Sequence, residues 1–354
     1  MKYPALLSAG DALSDIAAFD TVIDVRSESE FALDHVPGAI NCPVLHDDER
    51  VMVGTLYKQD SPFKAKKIGA AIVARNIASH LQTHFADHPK SWRPLVYCWR
   101  GGNRSGAMAH ILAKIGWPAV QLEGGYKAYR QHLVTQIDEM AGHFRFQVVC
   151  GTTGSGKSRL LGTLAAVGAQ VLDLEKLAAH RGSLLGGLPG EPQPSQKMFE
   201  SQVWQTLRQF HPERQVFVES ESKKIGNLRV PEKLMEVIRA SACIRINISD
   251  ANRVQLLIED YPHLAADITQ LMSQLEHLTP LHGRDKISAW RALAESGNIP
   301  QLVETLLTQH YDPAYLKSIN RNFSGYHDAL QVNLMDISAA AFASAAATLL
   351  NNER

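Results

Sequence analysis

The sequence of 354 residues predicts an α/β protein: a parallel-sheet domain, then a P-loop NTPase-like α/β domain with a helical C-terminal region. Three observations carry this. Short apolar runs alternate with helical patterns from residue 8 to about 137, the signature of a parallel sheet. A second alternation starts near residue 145 on a strand that runs straight into a glycine-rich loop. Beyond Asp250 the pattern is almost entirely helical. The expected domains are therefore 8–137, 145–250 and 251–354, the last packed on the second.

Taken in order, residues 21–25 (Thr-Val-Ile-Asp-Val) read as a strand and Glu28 to Leu33 as a short helix. Residues 39–44 read as a strand after the Pro37-Gly38 turn, and apolar residues at helical spacing predict a long helix over 66–85. A strand at Leu95-Val96-Tyr97 leads into a loop, and a helix follows over 105–115, ended by Gly116. A strand at 119–122 and a helix over 125–137 complete the domain, with a boundary near 138–145. In the second domain the strands are 146–150, 170–172, 215–218 and 243–247, with helices over 157–166 and through Trp204.

At 45% hydrophobic and 20% charged, the composition is that of a folded protein. No stretch approaches 18 apolar residues and the N-terminus lacks a signal-like pattern, so no membrane association is expected and the cytoplasm is the expected compartment. Cys42, Cys98, Cys150 and Cys243 show no paired spacing, which argues against both a disulfide framework and a zinc site. Basic and acidic residues balance at 36 each, so a nucleic-acid partner would have to be held by a local patch. Lys58, Lys64, Lys66, Lys67 and Arg75 form one candidate, with a solvated helix face as the plain alternative.

Two loops carry chemistry. Gly151-Thr152-Thr153-Gly154-Ser155-Gly156-Lys157-Ser158 meets the G-x-x-x-x-G-K-[ST] pattern in full, with a strand before it and a helix after. Its backbone N–H groups suit a diphosphate, Lys157 neutralises it, and Ser158 is placed to reach a Mg²⁺ ion. Asp173 and Glu219 end neighbouring strands; each is a candidate metal or substrate group, or simply a solvated strand end. ATP hydrolysis does not follow, because such a loop certifies only affinity for a polyphosphate.

The other loop is Cys98-Trp99-Arg100-Gly101-Gly102-Asn103-Arg104-Ser105. A loop between a strand and a helix aims backbone N–H groups at one point, which stabilises an anion there and favours a thiolate at Cys98. Gly101 and Gly102 permit the tight curvature, and Arg100 or Arg104 can add a bidentate oxyanion contact. The plain alternative for Cys98 is a small buried hydrophobe.

Asp24-Val25-Arg26, Glu30-Phe31, His35 to Asn41, Cys98 and Leu122 to Tyr126 together resemble the ordered motifs of the rhodanese family over about residues 8–135. That resemblance implies a rhodanese-like fold and a chalcogen carried on Cys98. Five residues separate Cys98 from Arg104 where typical rhodaneses have four; the longer loop is similar to those of rhodanese-related phosphatases and arsenate reductases, which fit a tetrahedral oxyanion.

With Leu56-Tyr57-Lys58-Gln59, Ser61-Pro62-Phe63, the phosphate loop, His180 to Ser183 and Glu219 to Gly226 added, nearly the whole chain resembles the bacterial tRNA 2-selenouridine synthase family. The resemblance implies a transferase that replaces the sulfur of wobble 2-thiouridine in tRNA by selenium from selenophosphate, through an S-geranylated intermediate made from geranyl diphosphate. The selenophosphate loop would be Arg100 to Arg104 with Cys98 catalytic, and Gly151 to Ser158 would hold the diphosphate. Both compounds would be co-substrates, with no tightly bound cofactor. Two other readings use the same loops: an ATP-dependent sulfurtransferase or kinase fed by a rhodanese domain, and a non-enzymatic docking module.

Overall fold

The computed structural model describes residues 3–262 and 267–351. The chain forms two compact units, Met1–Gln136 with Ser195–Gln205, and Ile137–Pro194 with Thr206–Arg354. The segment Ser195–Gln205, expected within the span 145–250, thus groups with the first unit.

The first unit holds a five-stranded, all-parallel sheet built from β1 (Ala5–Leu7), β2 (Thr21–Asp24), β3 (Ile40–Asn41), β4 (Pro94–Tyr97) and β5 (Val120–Leu122), in the order β1-β5-β4-β2-β3. Its central strand β4 is buried at every position, as a strand covered on both faces requires. Helices α1 (Ala9–Ser14), α2 (Glu28–Leu33), α3 (Asp47–Gln59), α4 (Pro62–His80), α5 (Asn103–Ile115) and α6 (Gly125–Ala141) accompany the sheet. Val96, Met108, Leu112, Phe85 and Trp92 pack into one core with Cys98.

Several expectations shift. Residues 39–44 keep only two residues of regular strand, although Cys42 and Val44, buried in the core, still donate to the Asp24 and Val25 carbonyls at 2.9 and 3.3 Å. The helix expected over 66–85 begins at Pro62, where Ser61 Oγ accepts from the Lys64 N–H and proline fits the first turn, and its last turn, Leu81–Phe85, widens to π-helix. Helix α3, unforeseen, opens on three acidic residues that suit a helix N-terminus. Helix α6 continues to Ala141, through the first residues of the expected boundary.

The second unit carries β6 (Arg145–Cys150), β7 (Gln170–Leu172), β8 (Gln215–Glu219), β11 (Ala242–Asn247) and β12 (Gly325–Asn333) in the all-parallel order β12-β11-β6-β8-β7. Between them lie α7 (Lys157–Ala166), α8 (Leu174–Leu177), the small hairpin β9 (Lys224–Ile225) with β10 (Leu228–Arg229), α10 (Glu232–Ala240) and α11 (Asp250–Asp260), while α9 (Gln196–Leu207) belongs to the first unit as far as Gln205. Strand β12 is the one strand in a tail read as almost entirely helical, among the described residues. Its pairing with β11 shifts register between Ala242 and Ile244, and only Tyr326, Ala329 and Val332 are buried, so the period-two alternation that marks a strand is broken. The remaining tail is helical as expected, and its helices Ile268–Glu276, Arg284–Glu295 and Ile299–Leu306 close over Leu271, Leu275, Trp290 and Leu302. Among the described residues no helix is long and apolar enough to cross a membrane.

Candidate functional site

The cysteine loop leaves the C-terminal end of β4 and turns into α5. Cys98 is buried, and its Sγ accepts from Ser105 Oγ at 3.3 Å. Gly102 adopts φ 73° as the residue that caps α5, a conformation that suits glycine. Gln121 holds the far side of the turn, donating to the Gly102 carbonyl at 3.0 Å and to Ser105 Oγ at 3.1 Å. The first turn of α6 clamps the near side: Tyr126 N–H donates to the Cys98 carbonyl at 2.8 Å and Lys127 N–H to that of Trp99 at 2.9 Å. Gly125 is obligatory there, since a Cβ would sit 2.3 Å from the Cys98 carbonyl oxygen.

The carbonyls of Cys98, Trp99 and Gly102 are tied down, whereas the amides of Trp99, Arg100, Gly101 and Gly102 meet no acceptor among the described residues. Four such donors beside a thiol at a helix N-terminus form an anion cradle. Arg100 is exposed. Arg104 lies in the first turn of α5, and its guanidinium is engaged by Glu30 at 3.0 Å. Glu30, pushed up by burial, is nonetheless held below its ordinary value because Arg104 and then Arg50 favour its charge. Asp34, fully buried, accepts from Tyr126 at 2.7 Å and Ser201 at 2.8 Å, which fastens the segment from α9 to this unit.

In the second unit the phosphate loop joins β6 to α7 as expected. Gly154 and Gly156 have φ 78° and 86°, and a Cβ on Gly151 would lie 2.3 Å from Ser155 Oγ. Lys157 Nζ donates to the Gly151 carbonyl at 2.8 Å and lies 5.5 Å from the Tyr315 ring, while Gly151 N–H donates to Tyr315 Oη at 2.8 Å. Arg253, buried and paired with Asp312 and Asp250, donates to the Thr153 carbonyl at 3.0 and 2.9 Å. Ser155 Oγ is buried with no partner, aimed into a loop built for an acceptor-rich group.

Of the two acidic candidates, Asp173 caps α8 through Lys176 N–H at 2.8 Å, and Glu219 accepts from Glu175 N–H at 2.8 Å while its second carboxylate oxygen is buried without a partner. The group that meets Ser158 is a third one, Glu175, at 3.0 Å. Glu175 stands two residues after Asp173, yet no sequence pattern marks it. Burial, then the charges of Asp173, Glu175 and Glu221, push Glu219 well above the usual carboxylate range; burial also raises Asp173. Burial and Glu175 push Glu221 up to about 8 against the pull of Lys157.

Glu221 therefore keeps its proton in the folded chain after the unfolded chain has lost it near 4.5, so stability falls as pH rises from about 4.5 to about 8. Glu221→Gln is expected to flatten that decline, leaving the variant more stable than the parent at pH 8 and little changed at pH 4. Urea melts across this range read the difference; parallel curves for the two proteins would refute it.

The loop opens into a cavity of about 710 Å³. His180, Arg181, Gly182 and Ser183 line it, as do Ser220, Glu221 and Ser222, so both motif segments singled out in the sequence border the phosphate loop. Beside it lies a smaller, almost wholly apolar pocket of about 70 Å³ walled by Leu257, Ile258, Leu271, Leu302 and Leu306. Thr153, Ser183, Leu257, Tyr261 and Tyr311 line both.

An anion cradle around a thiol on one parallel sheet, and a phosphate loop on another, define a rhodanese-like and P-loop protein. Residues 8–132 match the Rhodanese-like domain family, and residues 144–283 match the tRNA 2-selenouridine synthase AAA domain. A tRNA 2-selenouridine synthase of Nitrosomonas europaea is 38% identical over 71% of this chain and 66% of its own length, just under two thirds of that relative. One from Bdellovibrio bacteriovorus is 31% identical over 85% of this chain and 89% of its own. The crystal structure of a rhodanese-related protein from Thermoplasma volcanium is 22% identical, with a TM-score of 0.25, over 37% of this chain and 93% of that one. The chain belongs to the tRNA 2-selenouridine synthase family.

Proposed function

We propose that this protein is a tRNA-modifying selenotransferase acting on wobble 2-thiouridine in two steps. In the first, the thiocarbonyl sulfur attacks the allylic carbon of geranyl diphosphate, the C–O bond breaks, diphosphate leaves and the base loses its N3 proton. In the second, selenophosphate gives up its selenium at the selenide level while its phosphoryl group passes to water as phosphate; the selenide adds at C2 of the base, the C–S bond breaks and the sulfur departs as geranylthiol. Geranylation makes a poor leaving sulfur into a displaceable thioether.

The observation that carries this reading is the apolar pocket sharing five residues with the phosphate-loop cavity. A diphosphate on Lys157 and the loop amides, with a hydrocarbon tail entering a wall of leucines, matches an allylic diphosphate; a nucleotide base in that smaller pocket would face mostly Leu, Ile and Val side chains. Ser155 Oγ supplies a further donor to the leaving group, whose developing charge is where fixed donors matter most. Magnesium favours one or two carboxylates plus substrate phosphates, and Ser158 with Glu175 would hold such an ion, which screens the diphosphate's charge. The amide cradle at Cys98 suits the tetrahedral oxyanion of selenophosphate: the Cys98 sulfur attacks phosphorus, the P–Se bond breaks to release selenide, and water then cleaves the S–P bond to free the thiol and phosphate.

Leu302→Trp, which fills the apolar pocket, tests the reading. KM for geranyl diphosphate should rise about 10-fold or more, as expected when a well-fitted apolar site is blocked, while affinity for inorganic diphosphate is unchanged. If the variant geranylates thiouridine tRNA with an unaltered KM, the hydrocarbon binds elsewhere; if the parent chain turns over ATP and never consumes geranyl diphosphate, the ATP-using alternative is correct.

A further inference from the structure

We propose that the helical hairpin of α3 and α4 is the surface that holds the tRNA, with phosphates on Lys58, Lys66 and Lys67 and unstacked bases on Tyr57 and Phe63. It rests on the reading that tRNA is the substrate. Helix α3 runs for 13 residues without burying one of them fully, and it exposes Val51 at 63% and Tyr57 at 52%; at the start of α4, Phe63 is 76% exposed. A helix face made only for water carries charge outward, not a valine, a tyrosine and a phenylalanine.

The charges sort themselves. Of the six lysines and arginines in this stretch, Arg50 is bound to Glu30 at 3.1 Å, Lys64 to Asp60 at 2.6 Å and Arg75 to Glu49. Lys58, Lys66 and Lys67 are exposed and, among the described residues, meet no carboxylate. Phe63, Lys66 and Lys67, at i, i+3 and i+4, share one face of α4; Val51 and Lys58, two turns apart, share one face of α3. The chain's formal charge is zero, so a polyanion must find a local excess, and this is one.

Uncompensated cations interleaved with exposed aromatic rings are what single-stranded and looped RNA requires, since the phosphates take the charge and the splayed bases stack on the rings. A second copy of this chain fits less well: a two-fold interface here would set the three cations against themselves.

The test is fluorescence anisotropy with the purified full chain and a labelled transcript of a wobble-uridine tRNA, titrated at several salt concentrations. Lys58→Ala/Lys66→Ala/Lys67→Ala should raise Kd about 10-fold or more near 0.1 M salt and make the slope of log Kd against log salt shallower by about 2 to 3, the contribution of three phosphate contacts. Phe63→Ala should raise Kd about 5-fold or more and leave the slope unchanged, as loss of a stacking platform does. All these side chains are exposed, and circular dichroism should show both variants folded like the parent. A triple variant with the parent's affinity and slope overturns the proposal, as does a loss of affinity accompanied by a change from dimer to monomer in sedimentation, which would make the hairpin an interface between copies. If the parent chain itself fails to bind the transcript, tRNA as the substrate falls; if it binds and the variants are indifferent, only the surface does.

Discussion

Lys157→Ala should abolish geranylation of thiouridine tRNA and, with it, selenation, lowering kcat/KM for geranyl diphosphate by about 10²–10³-fold, the range for removing one fixed donor to a developing anion. The loss should be chemical rather than architectural. Lys157 contributes one bond to the loop, to the Gly151 carbonyl at 2.8 Å, whereas Arg253 on Thr153 and Tyr315 on Gly151 hold the loop without it. Its ammonium neutralises diphosphate charge as the C–O bond breaks, so the effect should fall mainly on kcat. Single-turnover assays with chromatography of the digested nucleosides measure it, with ATP hydrolysis followed in parallel. Steady ATP turnover that vanishes in the variant while geranylation continues would sink the assignment.

The parts of both sites that were legible in the sequence are those written on contiguous residues. A phosphate loop needs its glycines, lysine and serine at fixed spacing, and each occupies its expected place between β6 and α7. Cys98 and Gly102 likewise sit between β4 and α5, at the two ends of the five residues that join strand to helix. What stayed hidden is what reaches these loops from afar. Arg253 lies 100 positions from the Thr153 it holds and Tyr315 164 from Gly151, and nothing local marks either. Glu30 stands 74 residues before Arg104, so spacing alone presents Arg104 as a free oxyanion ligand whereas in the fold it is one half of an ion pair. Strand β12 was lost for a related reason: a register shift and a three-residue burial rhythm are consequences of its pairing with β11, not of its own sequence. The lysine patch was legible as charge, whereas the exposure of Tyr57 and Phe63 beside it was not.

Cys98→Ser should uncouple the two steps in the direction opposite to Lys157→Ala: selenation stops while geranylated tRNA accumulates. The fold should tolerate it. A hydroxyl replaces a thiol of similar shape, Ser105 Oγ remains within reach of it, and Gly125, Tyr126 and Gln121 fix the loop through backbone and turn contacts that do not involve the sulfur. The expected stability change is about 1 kcal/mol or less, as for other near-isosteric core exchanges. Chemically the exchange is severe, since an unactivated serine hydroxyl is a far weaker nucleophile than a thiolate and no general base is bonded to it here. A fall of about 10³-fold or more in selenouridine formation is therefore expected, of the size seen when a covalent nucleophile is removed. Diphosphate release from geranyl diphosphate should keep the parent rate, because the cysteine loop and the phosphate loop belong to separate compact units with separate supports. Arg104 offers an internal control: its engagement by Glu30 means that Glu30→Gln should perturb selenophosphate dependence without removing the nucleophile, so the two variants differ in kind, one raising KM and the other eliminating turnover. Nucleoside chromatography after incubation with thiouridine tRNA, geranyl diphosphate and selenophosphate decides the matter. A Cys98→Ser protein that inserts selenium at the parent rate would remove Cys98 from the chemistry and return it to the role of a small buried side chain at the end of β4.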